Sequence, residues 1–154
     1  MDTNINYPEI VRNFFTEEYK YLRFDDYEDG EVITLLFAGF NYNLTWHIST
    51  KPSGLVKFIA YTAKNVPEAK KQELYRLINK LQYDFRFLRL YIDDDNDLVI
   101  DYDILLTGEN AGAVNGCLKS MMEGFDLFLE MNYPNIMRCL WSEAEADKTS
   151  SSEA

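Results

Sequence analysis

The chain of 154 residues is poor in the residues that most often carry catalytic or metal chemistry. It holds one histidine, His47, and two cysteines, Cys117 and Cys139, which lie 22 positions apart and outside any CxxC motif. A single histidine excludes a His-rich zinc site, and neither cysteine has the motif-level partner of a catalytic nucleophile. The cysteines are instead typical of a reduced cytoplasmic protein.

Basic residues and long apolar runs are also scarce. The 15 lysines and arginines face 26 aspartates and glutamates, for a net charge of −11. This balance argues against binding of nucleic acid or anionic lipid through the overall field. No apolar run approaches the roughly 20 residues that span a bilayer, and residues 1–6 lack the features of a secretory signal. We therefore expect a cytoplasmic protein without nucleic-acid or membrane partners.

The charge is segregated along the chain. Residues 51–89 hold nine basic and three acidic residues, so this segment carries +6 and the remainder carries −17. The basic segment includes the second predicted helix, which could dock an acidic segment or present a solvated face. The pattern predicts a charge-polarised protein, and it lacks the basic, aromatic-interleaved patch of a nucleic-acid binder.

Hydrophobic periodicity predicts three helices. Apolar residues recur at helical spacing over 8–19 and over 114–129, and Pro134 is expected to end the last helix. Between them, a helix is expected to start after Asn65, its candidate cap, with an apolar stripe that runs to Leu81.

Strand signals fill the two intervals between these helices. Three or four strands are predicted over 21–62, and two more over 85–92 and 98–106. Short links make the strands antiparallel. The predicted fold class is α+β, with an antiparallel sheet of about five to six strands, helices packed on one face and the order α-β(3-4)-α-β-β-α. It forms a single domain over residues 1–141, followed by a disordered polar tail over 142–154.

The last two strands can be paired by their pattern. A turn centred on Asp95 builds one continuous apolar face, and a slip of one residue would move the aspartates onto it. The other, outer face then pairs Phe87 with Asp103, Arg89 with Asp101, and Tyr91 with Val99. Half-exposed aromatic residues are common on sheets, but they also mark protein interfaces. The candidate partner-binding residues are Phe87, Arg89, Tyr91, Asp101 and Asp103.

Candidate chemistry is weak elsewhere. Residues 93–97 resemble a calcium loop, but Leu98 stands where an EF-hand needs glycine and Ile104 stands at the bidentate glutamate position. His47 is expected at the surface. The segment 108–112 lacks the lysine and the fingerprint of a phosphate-binding loop. We therefore expect no catalytic residue, no metal site and no cofactor.

The same pattern resembles a known family. Similarity to the YbjN family, small bacterial proteins labelled as regulators of sensory transduction, lies in residues 74–81 (LYRLINKL), 85–93 (FRFLRLYID) and 98–103 (LVIDYD) and in the apolar helix after Gly112. The resemblance covers most of residues 7–133 and implies a type III secretion chaperone-like fold. Proteins of that fold are typically acidic and non-enzymatic, and many are homodimers that hold an extended segment of a partner.

Two functions stay open at this point. The resemblance implies a chaperone-like or regulatory module, not an enzyme, that binds a segment of an unidentified partner protein and forms a homodimer. The alternative is a small-molecule-binding or enzymatic α+β domain, whose aromatic residues would line a pocket with convergent polar groups.

Overall fold

A computed structural model describes residues 5–19, 22–27, 30–108 and 110–142. The predicted α+β fold and its element order are confirmed. The tail predicted over 142–154 lies, apart from Ser142, outside the described residues. The elements are α1 (Tyr7–Glu18), β1 (Leu22–Tyr27), β2 (Gly30–Ala38), β3 (Asn43–Thr50), β4 (Leu55–Ala63), α2 (Lys71–Asp84), β5 (Arg89–Ile92), β6 (Leu98–Leu105) and α3 (Ala111–Trp141), with a 3-10 turn at Glu68–Lys70 before α2.

The six strands form one antiparallel sheet in the order β1-β2-β3-β4-β6-β5. Alternate residues of β3 and β4 are buried, so the sheet has an inner and an outer face. Helix α3 covers the inner face, where the Phe125 ring stacks on Trp46 at 4.7 Å between centroids and lies 5.4 Å from Phe58. Helix α1 packs beside α3, and α2 packs between α3 and β5. None of the described helices has the length and apolar content needed to cross a membrane.

The prediction that the last helix ends at Pro134 is wrong. The helix continues to Trp141. Proline has no N–H for the carbonyl of Glu130, four residues earlier, and would normally break a helix there. That carbonyl instead accepts a hydrogen bond of 3.3 Å from the side-chain amide of Asn41. The link between β2 and β3 therefore supplies a donor in place of the missing helical N–H.

Asn65 does not cap α2, so this prediction is wrong. Neither the 3-10 turn nor α2 has a side-chain cap. Asn65 adopts a left-handed conformation, with φ of 54°, and its backbone N–H donates to the carboxylate of Asp97 at 2.9 Å. Asparagine tolerates this conformation well, and here it ties the end of β4 to the β5–β6 turn.

Strand β5 is shorter than predicted, because it begins at Arg89 rather than at Phe85. The side-chain amide of Gln82 donates to the carbonyl of Leu88 at 2.8 Å and accepts from the N–H of Leu90 at 3.1 Å. Gln82 thus bonds to the edge of β5 as a neighbouring strand would, which satisfies backbone groups that are otherwise unpaired.

Candidate functional site

The outer face of β5 and β6 holds most of the candidate partner-binding residues. Strand pairing in the structure confirms the predicted register of the hairpin along the whole length of β5. The pairs are Arg89 with Asp101, Leu90 with Ile100, Tyr91 with Val99, and Ile92 with Leu98.

Asp101 is the centre of a hydrogen-bonded cluster on this face. Its carboxylate accepts from Nε and Nη2 of Arg89 at 2.6 and 2.9 Å, and from the hydroxyl of Tyr91 at 2.6 Å. Two parallel bonds orient the guanidinium as well as neutralise the carboxylate. Asp101 is only 7% exposed, whereas the side chain of Arg89 is 66% exposed. The pair therefore presents its cation outward and its anion inward.

Tyr91 interacts with the cluster through both its hydroxyl and its ring. Burial raises the pKa of Tyr91 to about 12, and the hydrogen bond to Asp101 and the negative charge of that carboxylate act in the same direction. The phenol is therefore protonated at neutral pH and acts as a donor. The guanidinium carbon of Arg89 lies 5.8 Å from the centre of the Tyr91 ring, within cation–π range.

Tyr61 extends the cluster onto β4, and the sequence analysis missed it. Tyr61 and Tyr91 flank Val99 from the two neighbouring strands. Val99 is 1% exposed although it lies on the face opposite α3, and the strand pairing places Tyr61 and Tyr91 directly beside it. Tyr61 itself is 41% exposed, and Nζ of Lys64 lies 5.5 Å from its ring centre. The alternation of buried and exposed residues along β4 could have identified Tyr61, because it places Tyr61 on the same face of the strand as Lys57.

Asp103 lies at the margin of the cluster. It is exposed and is paired with Lys57 of β4 across the outer face. Its negative charge adds to that of Asp101 in raising the pKa of Arg89, although the direct hydrogen bond from Asp101 is the larger cause. The structure thus brings Arg89, Tyr91 and Asp101 into direct contact and leaves Asp103 beside them.

The predicted position of Phe87 on the outer face is wrong. Phe87 precedes β5 and does not pair with Asp103. Its ring lies on the helix side of the sheet, 5.9 Å from that of Phe125 and 6.4 Å from that of Tyr102. The strict alternation behind the prediction applies only within a strand, and here the strand starts two residues later.

Phe87 instead borders an apolar groove between α3 and the sheet. The groove has a volume of about 290 Å³. None of the described residues that line it is charged, so they form a mainly apolar surface. They are Phe87, Tyr102, Cys117, Ser120, Met121 and Gly124.

The acidic turn between β5 and β6 uses its carboxylates for its own backbone. The carboxylate of Asp93 accepts from the N–H groups of Asp95 and Asp97 at 3.0 and 2.8 Å. Asp97 in turn binds the N–H of Asn65. Across the described ranges, no group of three potential metal-ligating side chains lies close enough together to hold an ion.

Comparison with known proteins shows the family and the fold to which the chain is similar. The family model named YbjN, described as "Putative bacterial sensory transduction regulator", matches residues 8–131. The chain belongs to the YbjN family. The crystal structure of "YbjN, a putative transcription regulator from E. coli" is similar to this YbjN family member, with a TM-score of 0.54 and 14% identity over 83% of this chain and 92% of that chain. At this identity the likeness shows the fold. No curated protein sequence matches the chain.

The outer-face cluster lies entirely within the segment that matches the YbjN family. The matched segment ends at residue 131, whereas α3 continues to Trp141. The last ten residues of α3, which include Pro134, therefore lie beyond the family match.

Proposed function

We propose that this protein is a regulator that acts, without catalysis of its own, by binding a segment of a partner protein on the outer face of its sheet. Membership in a family described as regulators supports the regulatory part. The observation that carries the binding site is the cluster of Arg89 and Tyr91 around Asp101, with Tyr61 beside it on the neighbouring strand. Cytoplasmic location and chaperone-like action are further parts of the proposal.

The cluster has the residue types and the ordered side chains that are common at protein interfaces. Tyrosine and arginine are enriched among the residues that dominate binding energy at protein interfaces. Two hydrogen bonds hold Arg89, and one holds Tyr91. Side chains that are already ordered lose less conformational entropy when a partner binds, so more of the contact energy becomes affinity.

The exposed groups of the outer face favour a partner segment that is apolar and also carries a carboxylate. A guanidinium has five N–H donors, and Asp101 uses two of those of Arg89. Lys57 and Lys64 add further positive charge on the β4 side, partly offset by Asp103. The rings of Tyr61 and Tyr91 offer the apolar contact between these cations.

Site-specific photo-crosslinking in the native cell tests the proposal. A p-benzoylphenylalanine probe replaces Tyr61, and the matched control places it at Tyr83, a 79% exposed tyrosine on α2. We expect a covalent adduct with one protein from position 61 and none from position 83. Arg89→Ala should reduce the yield at position 61 roughly tenfold, the effect of losing about 1.4 kcal/mol of binding energy.

Phe87→Ala is the second control, because Phe87 lies on the helix side. It should leave the crosslinking yield at position 61 unchanged, provided that circular dichroism shows the variant to be folded. Equal adducts at positions 61 and 83, or a yield at 61 that does not respond to Arg89→Ala, would contradict the proposal.

The apolar groove at Phe87 supports the alternative, a small-molecule-binding or enzymatic function, less well. Its volume of about 290 Å³ lies near the lower end of ligand pockets, which span about 300–1,000 Å³. Its described lining offers no charged group with which to orient a polar substrate. The outer face of the sheet is therefore the better-supported binding site.

A further inference from the structure

A cleft of about 500 Å³ lies between α2 and the last turns of α3, and its volume falls within the range of ligand pockets. The two helices run antiparallel. Lys70, just before α2, contacts Ser142 at the end of α3, and the ring of Phe85, just after α2, lies 5.0 Å from that of Phe128. This cleft, the helix cleft, has Glu73, Lys80, Arg138 and Ser142 among the described residues that line it.

A buried lysine marks one end of the helix cleft. Lys70 is only 6% exposed, and lysine is rarely buried unless it is paired. Its ammonium group donates to Oγ of Ser142 at 3.2 Å and lies 4.0 Å from the carboxylate of Glu73. The charges of Lys70 and Glu73 therefore offset each other at this end, and Ser142, the residue that follows α3, is held beside them.

Two cations in the helix cleft have no such partner. Lys80 of α2 and Arg138 of α3 both line the cleft and are exposed. Across the described residues, no side chain forms an ion pair or a hydrogen bond with the charged group of either. Cys139, which also lines the cleft, adds no negative charge at neutral pH, because burial raises the pKa of its thiol. The described part of the cleft therefore carries an excess of positive charge.

The sequence that follows α3 carries the opposite charge. Residues 143–147, the acidic segment, read Glu-Ala-Glu-Ala-Asp and lie outside the described residues. In an extended chain alternate side chains point to the same side, so the three carboxylates would share one side and the two alanines the other. The backbone at Ser142 is extended, with φ of −74° and ψ of 157°. The chain thus enters the acidic segment in the conformation that this alternation requires.

The acidic segment is long enough to reach both cations. Lys80 lies seven residues beyond Glu73 on α2, which is about 10.5 Å of helix from the end of the cleft that holds Ser142. An extended chain advances about 3.3 Å per residue, so three residues beyond Ser142 cover this distance and bring Glu145 to Lys80. Arg138 lies one helical turn before Ser142, within side-chain reach of Glu143.

We propose that the helix cleft is a carboxylate-binding site and that its occupant is the acidic segment of the same chain. Glu143 pairs with Arg138, and Glu145 pairs with Lys80. Covalent attachment beside the cleft gives the segment a high effective concentration there, so ion pairs that are too weak to hold a free peptide suffice. The outer face of the sheet contributes nothing to the cleft, and the proposal does not depend on the function proposed above.

Zero-length crosslinking of the full chain with a carbodiimide tests the proposal, because this reagent joins a carboxylate to a lysine amine only where the two are in contact. We expect a link between Glu145 and Lys80, identified by the mass of the joined peptides. Lys119, an exposed lysine on α3 far from the cleft, is the internal control and should not be linked to the acidic segment. A mixture of ¹⁴N and ¹⁵N chains distinguishes links within one chain from links between two.

Arg138→Gln removes one cation of the helix cleft and should lower the yield of the Glu145–Lys80 link roughly twofold to fivefold, the effect of losing one exposed ion pair. Arg76→Gln is the matched control, since Arg76 is an exposed arginine of α2 outside the described lining of the cleft, and it should leave the yield unchanged. Circular dichroism checks that both variants are folded. High salt should lower the yield in the wild-type protein without any substitution, because it screens exposed charges.

A titration with inorganic phosphate, followed by the backbone amide signals of Lys80 and Arg138, tests whether the cleft is occupied. In the variant Glu143→Gln/Glu145→Gln/Asp147→Asn the acidic segment no longer competes for these cations. We therefore expect larger phosphate-induced shifts in this variant than in the wild type. Equal shifts in the two proteins would overturn the proposal and would show a cleft that is open to small anions.

Three crosslinking results would also overturn the proposal. The absence of a link to Lys80, or equal links to Lys80 and Lys119, would show that the acidic segment does not occupy the helix cleft. Links that join only ¹⁴N to ¹⁵N chains would show that the segment binds another molecule instead of its own. A yield that responds equally to Arg138→Gln and Arg76→Gln would show a general effect of charge rather than binding in the cleft.

Discussion

The side-chain amide of Asn41 donates a hydrogen bond to the backbone carbonyl of Glu130, 89 residues away in sequence. This carbonyl is the one that Pro134 cannot bond, because proline has no N–H. A residue of the β2–β3 link thus stands in for the missing helical donor. The consequence is that α3 runs for 31 residues and that its last turns, with Arg138 and Trp141, are helical.

Replacing Asn41 should destabilise the protein through this bond. Asn41→Ala leaves the Glu130 carbonyl without its donor, so we expect the free energy of unfolding to fall by about 1 kcal/mol in urea denaturation. Pro134→Ala restores a helical N–H for the same carbonyl. In that background Asn41→Ala should cost less, and a double-mutant cycle measures the difference. An equal cost in both backgrounds would contradict this explanation of the helix.

Gln82 should stabilise the edge of β5. Gln82→Ala removes the hydrogen bonds to Leu88 and Leu90 at the start of this strand, so we expect a loss of about 1–2 kcal/mol in the free energy of unfolding. Amide hydrogen exchange at Leu90 should become faster, since its N–H loses its acceptor. Gln72→Ala is the control, because Gln72 is an exposed glutamine on the same helix, and it should change stability by less than about 0.5 kcal/mol. Similar losses for the two variants would argue against the role of Gln82.

The two aspartates of the outer face should differ in their contribution to stability. Asp101→Asn removes the charge that binds Arg89 and Tyr91, so we expect the free energy of unfolding to fall by about 1 kcal/mol. The value is modest because Arg89 is largely exposed and water screens the pair. Asp103→Asn, at an exposed position on the same strand, should change stability by less than about 0.5 kcal/mol. Chemical denaturation of both variants measures the two changes in the free energy of unfolding. Equal changes for Asp101→Asn and Asp103→Asn would show that the cluster has no structural role.

The raised pKa of Tyr91 predicts a loss of stability at high pH. Its ordinary value is 10.0, and in the folded protein it is about 12. Below pH 10 the phenol is protonated in both states, so its contribution is complete. Between pH 10 and pH 12 the unfolded chain releases the proton first, which favours unfolding. Tyr91→Phe should make this decline shallower, as measured by denaturation at each pH.

Tyr19 limits how much of the decline Tyr91→Phe can remove, because burial also raises the pKa of Tyr19 to about 12. Absorbance of tyrosinate in the folded protein should therefore show at least two late-titrating groups in the wild type and one fewer in the variant. A decline in stability that is identical in the two proteins would contradict the assignment to Tyr91.

The register of the last hairpin shows what pattern alone can predict. Alternation along β5 and β6 is local, and only one pairing keeps Leu90 and Ile100 on the apolar face while Arg89 meets Asp101. The structure has this pairing. The helices and strands could be predicted for the same reason, because each repeats its apolar positions with its own period. The partner-binding role of the outer face stays a prediction, since it depends on a second molecule.

The sequence by itself determined the α+β class, the order of elements and the pairing of Arg89 with Asp101, because each of these follows from periodicity within a few residues. Only the tertiary structure decided the side on which Phe87 lies and the continuation of α3 through Pro134. Phe87 packs against Phe125 of α3, and Pro134 is tolerated because Asn41 supplies a donor. These partners lie 38 and 93 positions away, so contacts between distant residues, which local patterns do not record, decided both outcomes.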